Sequence, residues 1–223
     1  MRIKRVFYYS TAFSAFVLLT LVRGMLFSDL LPHSIAPRIA LIIAAWWIAL
    51  VPVLLLMRWD KTKFFELGFT ASNLFTQIAL GVFAGIVLSV LMAGVSYALG
   101  IPVRGSLSLS RFLSESLLNL VTVGLVEETV FRGYIYKKLF DYSNKRLFTV
   151  IVSSVLFGLF HFVNMPYQGV IITLIQVGTT TVIGLVFCLL RVIKKTFNMI
   201  SLIVLHSVYN EALVFFTALF HWL

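Results

Sequence analysis

The sequence predicts an all-α, polytopic integral membrane protein: a helical bundle of about seven transmembrane helices, with six to eight as the range. Three observations support this fold class. Of the 223 residues, 61% are hydrophobic and only 12% are charged. The mean hydropathy is +1.03, far above that of soluble globular domains. Apolar runs also recur along the whole chain, so the bilayer rather than water is the expected solvent.

The apolar runs define the predicted spans in chain order. All but the fifth are close to the roughly 17–25 residues that cross about 30 Å of hydrocarbon. The fifth run is short and the third is long enough to break in two, which gives the range of six to eight. The runs cover residues 6–27, 36–57, 74–99, 113–136, 148–163, 170–190 and 198–222.

The net charge of +10 fits a membrane protein better than a nucleic-acid-binding protein, because the basic residues sit on one side of the runs. On the other side lie only Arg23, Arg38, Arg104 and Arg111. By the positive-inside rule the N-terminus is predicted to be cytoplasmic and the C-terminus extracytoplasmic. Anionic lipid headgroups also suit the basic side, and nucleic acid is not an expected partner. The basic side comprises Arg2, Lys4, Arg5, Arg58, Lys61, Lys63, Lys137, Lys138, Lys145, Arg146, Arg191, Lys194 and Lys195.

The first run resembles a secretory signal because it follows a basic N-terminus. It has no small-residue cleavage site before Arg23, so we expect it to be retained as a span. Cys188 is the only cysteine, which excludes an intramolecular disulfide and a cysteine-rich metal cluster.

The polar residues inside the apolar runs are the candidate site. Glu127 and Glu128 are adjacent within the apolar stretch 117–136, although one acid at a helix centre costs roughly 2.5–3.5 kcal/mol. Arg132 follows Glu128 by four residues, which places it on the same helical face. Because Arg132 can neutralise only one carboxylate, the second acid is hard to explain as a structural ion pair.

Two later runs carry further pairs at i,i+4 spacing, each of which includes a histidine. Phe157 and His161 end the fifth run, and the last run contains His206 and Asn210, followed at once by Glu211. Polar side chains in lipid-embedded helices face the bundle interior, since lipid offers them no partner. We therefore predict one shared cluster. Each element taken alone could instead be an ion pair or a hydrogen bond that joins helices.

This set suits hydrolysis of an amide without a covalent intermediate. Neighbouring carboxylates titrate as a coupled pair, and with Arg132 holding Glu128 ionised, Glu127 is expected to take up a proton near neutral pH. Together with His161 it could position and deprotonate a water molecule. The last pair, on one face of its helix, could donate to a developing oxyanion.

The three motifs, in this order on successive late runs, resemble those of the CAAX-processing and bacteriocin-processing (CPBP, or Abi) intramembrane proteases. The resemblance covers about residues 115–215 and implies an all-helical membrane endopeptidase that opens to the cytoplasm. It divides the chain into N-terminal transmembrane spans, 1–112, and a CPBP-like catalytic core, 113–223. The motifs are Glu127-Glu128-x-x-x-Arg132, Phe157-x-x-x-His161 and His206-x-x-x-Asn210.

The resemblance also implies individual roles that agree with the chemistry above. The first Glu and first His hold the attacking water, the late His and Asn bind the oxyanion, and the other two residues support them. The predicted catalytic residues are thus Glu127, Glu128, Arg132, His161, His206 and Asn210.

A zinc-dependent metalloprotease is the main alternative. Glu127, His161 and His206 would give a His2Glu set with an open position for water. There is no His-Glu-x-x-His helix, and asparagine is a poor zinc ligand, so no cofactor is expected and Zn²⁺ remains the alternative. A non-catalytic bacteriocin self-immunity protein and a proton-coupled transporter are further alternatives.

The expected setting is a bacterial plasma membrane that the chain crosses several times. The expected partners are the lipid bilayer and a small membrane-associated peptide or membrane-protein substrate.

Overall fold

The computed structural model describes residues 2–29, 35–100, 107–193 and 197–222, and within these ranges the chain forms helices and no strand. This confirms the predicted all-α class. Arg104, Lys194 and Lys195, used above to predict orientation, lie outside the described residues.

The helices follow the predicted runs closely. In chain order they are α1 (Arg2–Asp29), α2 (Ile35–Trp59), α3 (Leu74–Ala98), α4 (Leu109–Asn119), α5 (Leu125–Glu128), α6 (Tyr136–Ser143), α7 (Arg146–Phe160), α8 (Met165–Gln168), α9 (Val170–Ile193) and α10 (Met199–Trp222). Two π-helical turns, Leu120–Gly124 and Thr129–Ile135, flank α5, and 3-10 turns occupy Phe64–Leu67 and His161–Asn164.

The described residues contain six segments long and apolar enough to cross a membrane: Pro37–Trp59, Leu74–Ala98, Leu109–Ser143, Arg146–Gln168, Val170–Ile193 and Met199–Phe220. Helix α1 has 28 residues, and at 1.5 Å per residue it is also longer than the hydrocarbon core of a bilayer is thick. The protein is therefore a multi-pass membrane protein. The third run, predicted to be long enough to break, is one uninterrupted helix. The short fifth run becomes a full span because the 3-10 turn and α8 extend it.

The chain forms two compact units, which are interleaved in sequence. The first unit contains Met1–Gly68 and Thr129–Ile193, and the second contains Phe69–Glu128 and Lys194–Leu223. The division predicted at residue 112 stays a prediction.

Aromatic side chains form the core of the first unit. Phe131, fully buried in the second π turn, has its ring centroid 5.2 Å from those of Phe157 and Phe160 on α7. It lies 6.2 Å from those of Phe13 and Phe16 on α1. Such edge-to-face and tilted contacts hold this π turn between α1 and α7.

A cavity of about 750 Å³ in the first unit, lined chiefly by apolar side chains, has a polar anchor. Two of its lining residues, Tyr134 and Lys138, each approach Asp60 Oδ2 to 2.7 Å. Asp60 Oδ1 accepts from the backbone N–H of Thr62 at 3.1 Å. Asp60 therefore joins the end of α2 to α6.

The second unit is built on close packing of α3 against α10. A stripe at four-residue spacing on α3 is buried: Gln77, Gly81, Gly85, Ser89 and Ala93. A Cβ at Gly81 would lie 2.7 Å from the Ser201 carbonyl oxygen, so only glycine permits this approach. Small residues at such spacing are the usual means by which membrane helices pack tightly.

Candidate active site

The glutamate pair lies in a short α-helical segment between two π turns. Glu127 and Glu128 end α5, which is only four residues long, and both side chains are buried, with exposures of 4% and 0%. In a π turn the backbone hydrogen bonds join residues five apart instead of the four of an α-helix, and such turns occur often at functional sites. The sequence prediction had assumed a regular α-helix through this region.

In the second unit, the imidazole of His206 lies between the two carboxylates. Its Nδ1 is 2.7 Å from Glu128 Oε1, and its Nε2 is 3.9 Å from Glu127 Oε2. His206 is itself buried, at 6% exposure. Glu128 thus has an imidazole partner that the sequence did not predict. Its predicted pairing with Arg132 stays a prediction.

The two contacts of His206 differ in kind. A carboxylate oxygen accepts from Nδ1–H, so the first contact is a hydrogen bond that orients the ring. The second distance, 3.9 Å, is too long for a direct hydrogen bond, and a water oxygen could lie within hydrogen-bonding distance of both atoms. Among the described residues, none donates a hydrogen bond to Glu127 Oε2. The two carboxylates therefore differ in their contacts with the ring.

Asn210 lies one helical turn beyond His206 on α10 and is half-buried. This is the placement predicted from its i,i+4 spacing. Its role toward an oxyanion stays a prediction.

Arg132 belongs to the first unit, where aromatic rings enclose its guanidinium. The side chain is fully buried, with Cζ 3.8 Å from the ring centroid of Phe157 and 5.1 Å from that of Phe187. Gly184 on α9 adjoins this group, since a Cβ there would lie 3.3 Å from Arg132 Nη2. Cation–π contacts of this kind are strongest where water is excluded.

His161 opens the 3-10 turn after α7, also in the first unit, and its tautomer is fixed. Its Nδ1 lies 2.9 Å from the Phe157 carbonyl oxygen, which can only accept a hydrogen bond. Nδ1 therefore carries a proton, and in the neutral ring Nε2 is the basic nitrogen. The predicted single cluster of six residues stays a prediction, because these residues fall in two separate units.

The structure provides no ready metal site in the part of the chain that it describes: no three histidine, cysteine, aspartate or glutamate side chains are grouped to hold an ion. Within the second unit, Glu128 is hydrogen-bonded to His206, and Glu127 lies 3.9 Å from the other ring nitrogen.

Sequence reasoning missed the role of Phe157, which was noted only for its spacing from His161. The Arg132 guanidinium lies over the face of the Phe157 ring. The same ring contacts the His161 ring, with centroids 4.9 Å apart, and the Phe157 carbonyl oxygen orients His161 by a hydrogen bond. The i,i+4 spacing could have suggested the ring contact. Nothing in the sequence pointed to Gly184.

Comparison with known protein families supports the resemblance predicted from the sequence. Residues 109–212 match the family model described as type II CAAX prenyl endopeptidase Rce1-like. No curated protein and no solved structure gave a significant match. The matched segment contains all six predicted site residues, and the family indicates an intramembrane peptidase acting on membrane-embedded peptide substrates. Over residues 109–212, just under half of the chain, the protein thus resembles a family of CAAX-type membrane proteases, which confirms the resemblance predicted from its three motifs.

Proposed function

We propose that the protein is a metal-independent, glutamic-type intramembrane endopeptidase. The observation that supports this most directly is the His206 ring between two buried carboxylates, with a direct hydrogen bond to Glu128 and a wider gap to Glu127. Acid–base hydrolysis usually divides the work between two acids in this way. One is ionised and orients the ring, and the other exchanges a proton.

In the proposed reaction, Glu127 and His161 Nε2 hold a water molecule, and Glu127 accepts its proton as the oxygen attacks the scissile carbonyl. His206, protonated on both ring nitrogens at this step, keeps Nδ1–H on Glu128 and donates Nε2–H to the resulting oxyanion, and Asn210 donates to the same oxyanion. The C–N bond then breaks, and the proton held by Glu127 passes to the leaving amine. Glu128 orients His206, and Arg132 supports the ionised form of Glu128.

We further propose that the substrate is a small membrane-associated peptide or protein and that the host membrane is the bacterial plasma membrane, with the N-terminus cytoplasmic. The description of the matched family model names a prenyl endopeptidase. A peptide with a prenylated C-terminus is therefore one substrate class to include in the test.

The testing experiment is cleavage of quenched fluorescent peptides, farnesylated and unmodified, by purified protein in detergent. Wild type is compared with Glu127→Ala and His206→Ala, each with and without a zinc chelator. We expect wild-type activity to survive the chelator and to fall by about 10²–10⁴-fold in both variants.

Two results would contradict this proposal. Activity lost to the chelator and restored by zinc would favour the metalloprotease. Absence of cleavage by folded wild type on every peptide would favour the non-catalytic immunity role.

A further inference from the structure

Glu211 is a carboxylate inside a membrane span that the proposed reaction does not use. It lies on α10, five residues beyond His206, and is half-buried. Its Oε1 accepts a hydrogen bond from Asn119 Nδ2 at 2.9 Å. An acid within a membrane span is costly, so its presence calls for a compensating role.

Asn119 connects this hydrogen bond to the segment that carries the glutamate pair. It is the last residue of α4, and the π turn Leu120–Gly124 starts at the next residue. That turn leads directly into α5, which carries Glu127 and Glu128. The Glu211–Asn119 hydrogen bond therefore anchors the chain where it changes from α-helical to π-helical backbone.

The far end of the same π turn is also held on α10. A Cβ at Gly124 would lie 2.5 Å from Ser207 Oγ and 2.9 Å from the Ile203 carbonyl oxygen, so only glycine allows this approach. Ser207 is the neighbour of His206, and its hydroxyl donates to the Ile203 carbonyl at 2.7 Å. The contacts on α10 thus bracket His206 in the chain, with Ile203 before it and Ser207 and Glu211 after it.

We propose that Glu211 is a positioning residue for the reaction. Through Asn119 it fixes the π turn, and the π turn sets the placement of Glu127 and Glu128 against His206. This rests on the proposed function, in which those three side chains perform the chemistry. A displacement of about 1 Å at reacting groups can lower the rate on the order of 100-fold, which makes such an anchor consequential.

The test compares Glu211→Gln, which keeps an acceptor oxygen, with Glu211→Leu, which loses it. Thr179→Val on α9 is the control, because among the described residues its hydroxyl bonds to carbonyls of its own helix alone. Peptide cleavage gives kcat and KM, and hydrogen exchange gives the backbone protection of residues 119–128. We expect Glu211→Leu to lower kcat about 10- to 100-fold with KM nearly unchanged, and to increase exchange in that segment. Glu211→Gln should keep both near wild type.

A double variant completes the test. If Glu211 acts through Asn119, then Asn119→Leu combined with Glu211→Leu should be no more impaired than Asn119→Leu alone.

Several outcomes would overturn the proposal. The first is a Glu211→Leu protein whose kcat and hydrogen exchange match those of wild type. The second is a Glu211→Gln protein whose kcat falls as far as that of Glu211→Leu. The third is hydrogen exchange that increases throughout the chain rather than in residues 119–128. The exchange readout needs no activity, so it judges the anchor even if no peptide is cleaved. Failure of wild-type cleavage would count against the proposed function alone.

Discussion

His206 and Glu128 form a buried hydrogen bond of 2.7 Å that leaves the other ring nitrogen 3.9 Å from Glu127. One imidazole thus makes unequal contacts with two adjacent carboxylates: Glu128 orients the ring, and Glu127 is the acid to which we assign the proton transfer in the proposed reaction. Side chains consecutive in sequence acquire different chemistry because only one of them reaches Nδ1.

This asymmetry predicts different effects of two isosteric substitutions. Glu127→Gln should abolish cleavage with little change in Tm, because it removes a proton acceptor without removing a close contact. Glu128→Gln should lower both activity and Tm, since hydrogen bonds to charged groups contribute about 1.5–3 kcal/mol. At roughly 2–4 °C per kcal/mol, the Tm change is measurable by thermal unfolding in detergent. Equal effects of the two substitutions on both properties would contradict this assignment.

The hydrogen bonds to Asp60 predict acid sensitivity. Burial raises the pKa of Asp60, but hydrogen bonds from Lys138, Thr62 and Tyr134 outweigh it and hold the pKa below its ordinary value of 3.8. The contribution of ionised Asp60 to the free energy of unfolding is therefore fully present above about pH 4. It is lost as the pH falls through the lower pKa that Asp60 has in the folded state. Tm measured from pH 7 down to pH 3 should fall less in Asp60→Asn than in wild type. Parallel curves would show that Asp60 makes no pH-dependent contribution.

The packing of α3 on α10 predicts a contrast between two glycines on the same helix. Gly81→Ala should destabilise by about 1–3 kcal/mol, because the new methyl group meets the Ser201 carbonyl oxygen and Val204 Cβ at 2.7 Å. At Gly94 an added methyl group would meet no atom of the described residues within 4 Å, so Gly94→Ala should be neutral or stabilising by up to about 1 kcal/mol. Tm values of the two variants check this. A Gly81→Ala protein as stable as wild type would mean that α3 and α10 can separate at no cost.

The aromatic enclosure of Arg132 predicts an effect of Phe157 on activity. Phe157→Leu removes a ring 3.8 Å from the guanidinium and 4.9 Å from His161, and a desolvated cation–π contact contributes about 2 kcal/mol. We expect a lower Tm and a lower kcat. Phe162→Leu, at a side chain that is 39% exposed, is the control and should change neither. If both variants behave alike, the enclosure of Arg132 has no special role.

The spans and the motif residues could be read from the sequence because both depend on local patterns. Long apolar runs must become helices in a bilayer, where every backbone polar group needs an internal partner. Predicted boundaries such as 74–99 therefore differ from α3 by a single residue.

The pairing of Glu128 with His206 could not be predicted in the same way. It depends on how α5 packs against α10, residues 78 positions apart, and on two π turns that no propensity pattern signals. An i,i+4 argument assumes regular α-helical rotation, and that assumption ends at Thr129. The catalytic roles of the six residues were inferred from chemistry and resemblance, and they await the experiments above.

The π turn Leu120–Gly124 makes the effect of a one-residue deletion depend on where it falls. Such a turn accommodates one residue more than an α-helical turn between the same neighbours. Deleting one residue within the turn should therefore restore regular helix and leave Glu127 and Glu128 on the same side of it. Deleting one residue from the regular helix α4 would instead rotate the side chains before the deletion by about 100° relative to the glutamate pair. The turn is thus the place in this stretch where the chain can shorten by one residue while the glutamate pair keeps its side of the helix.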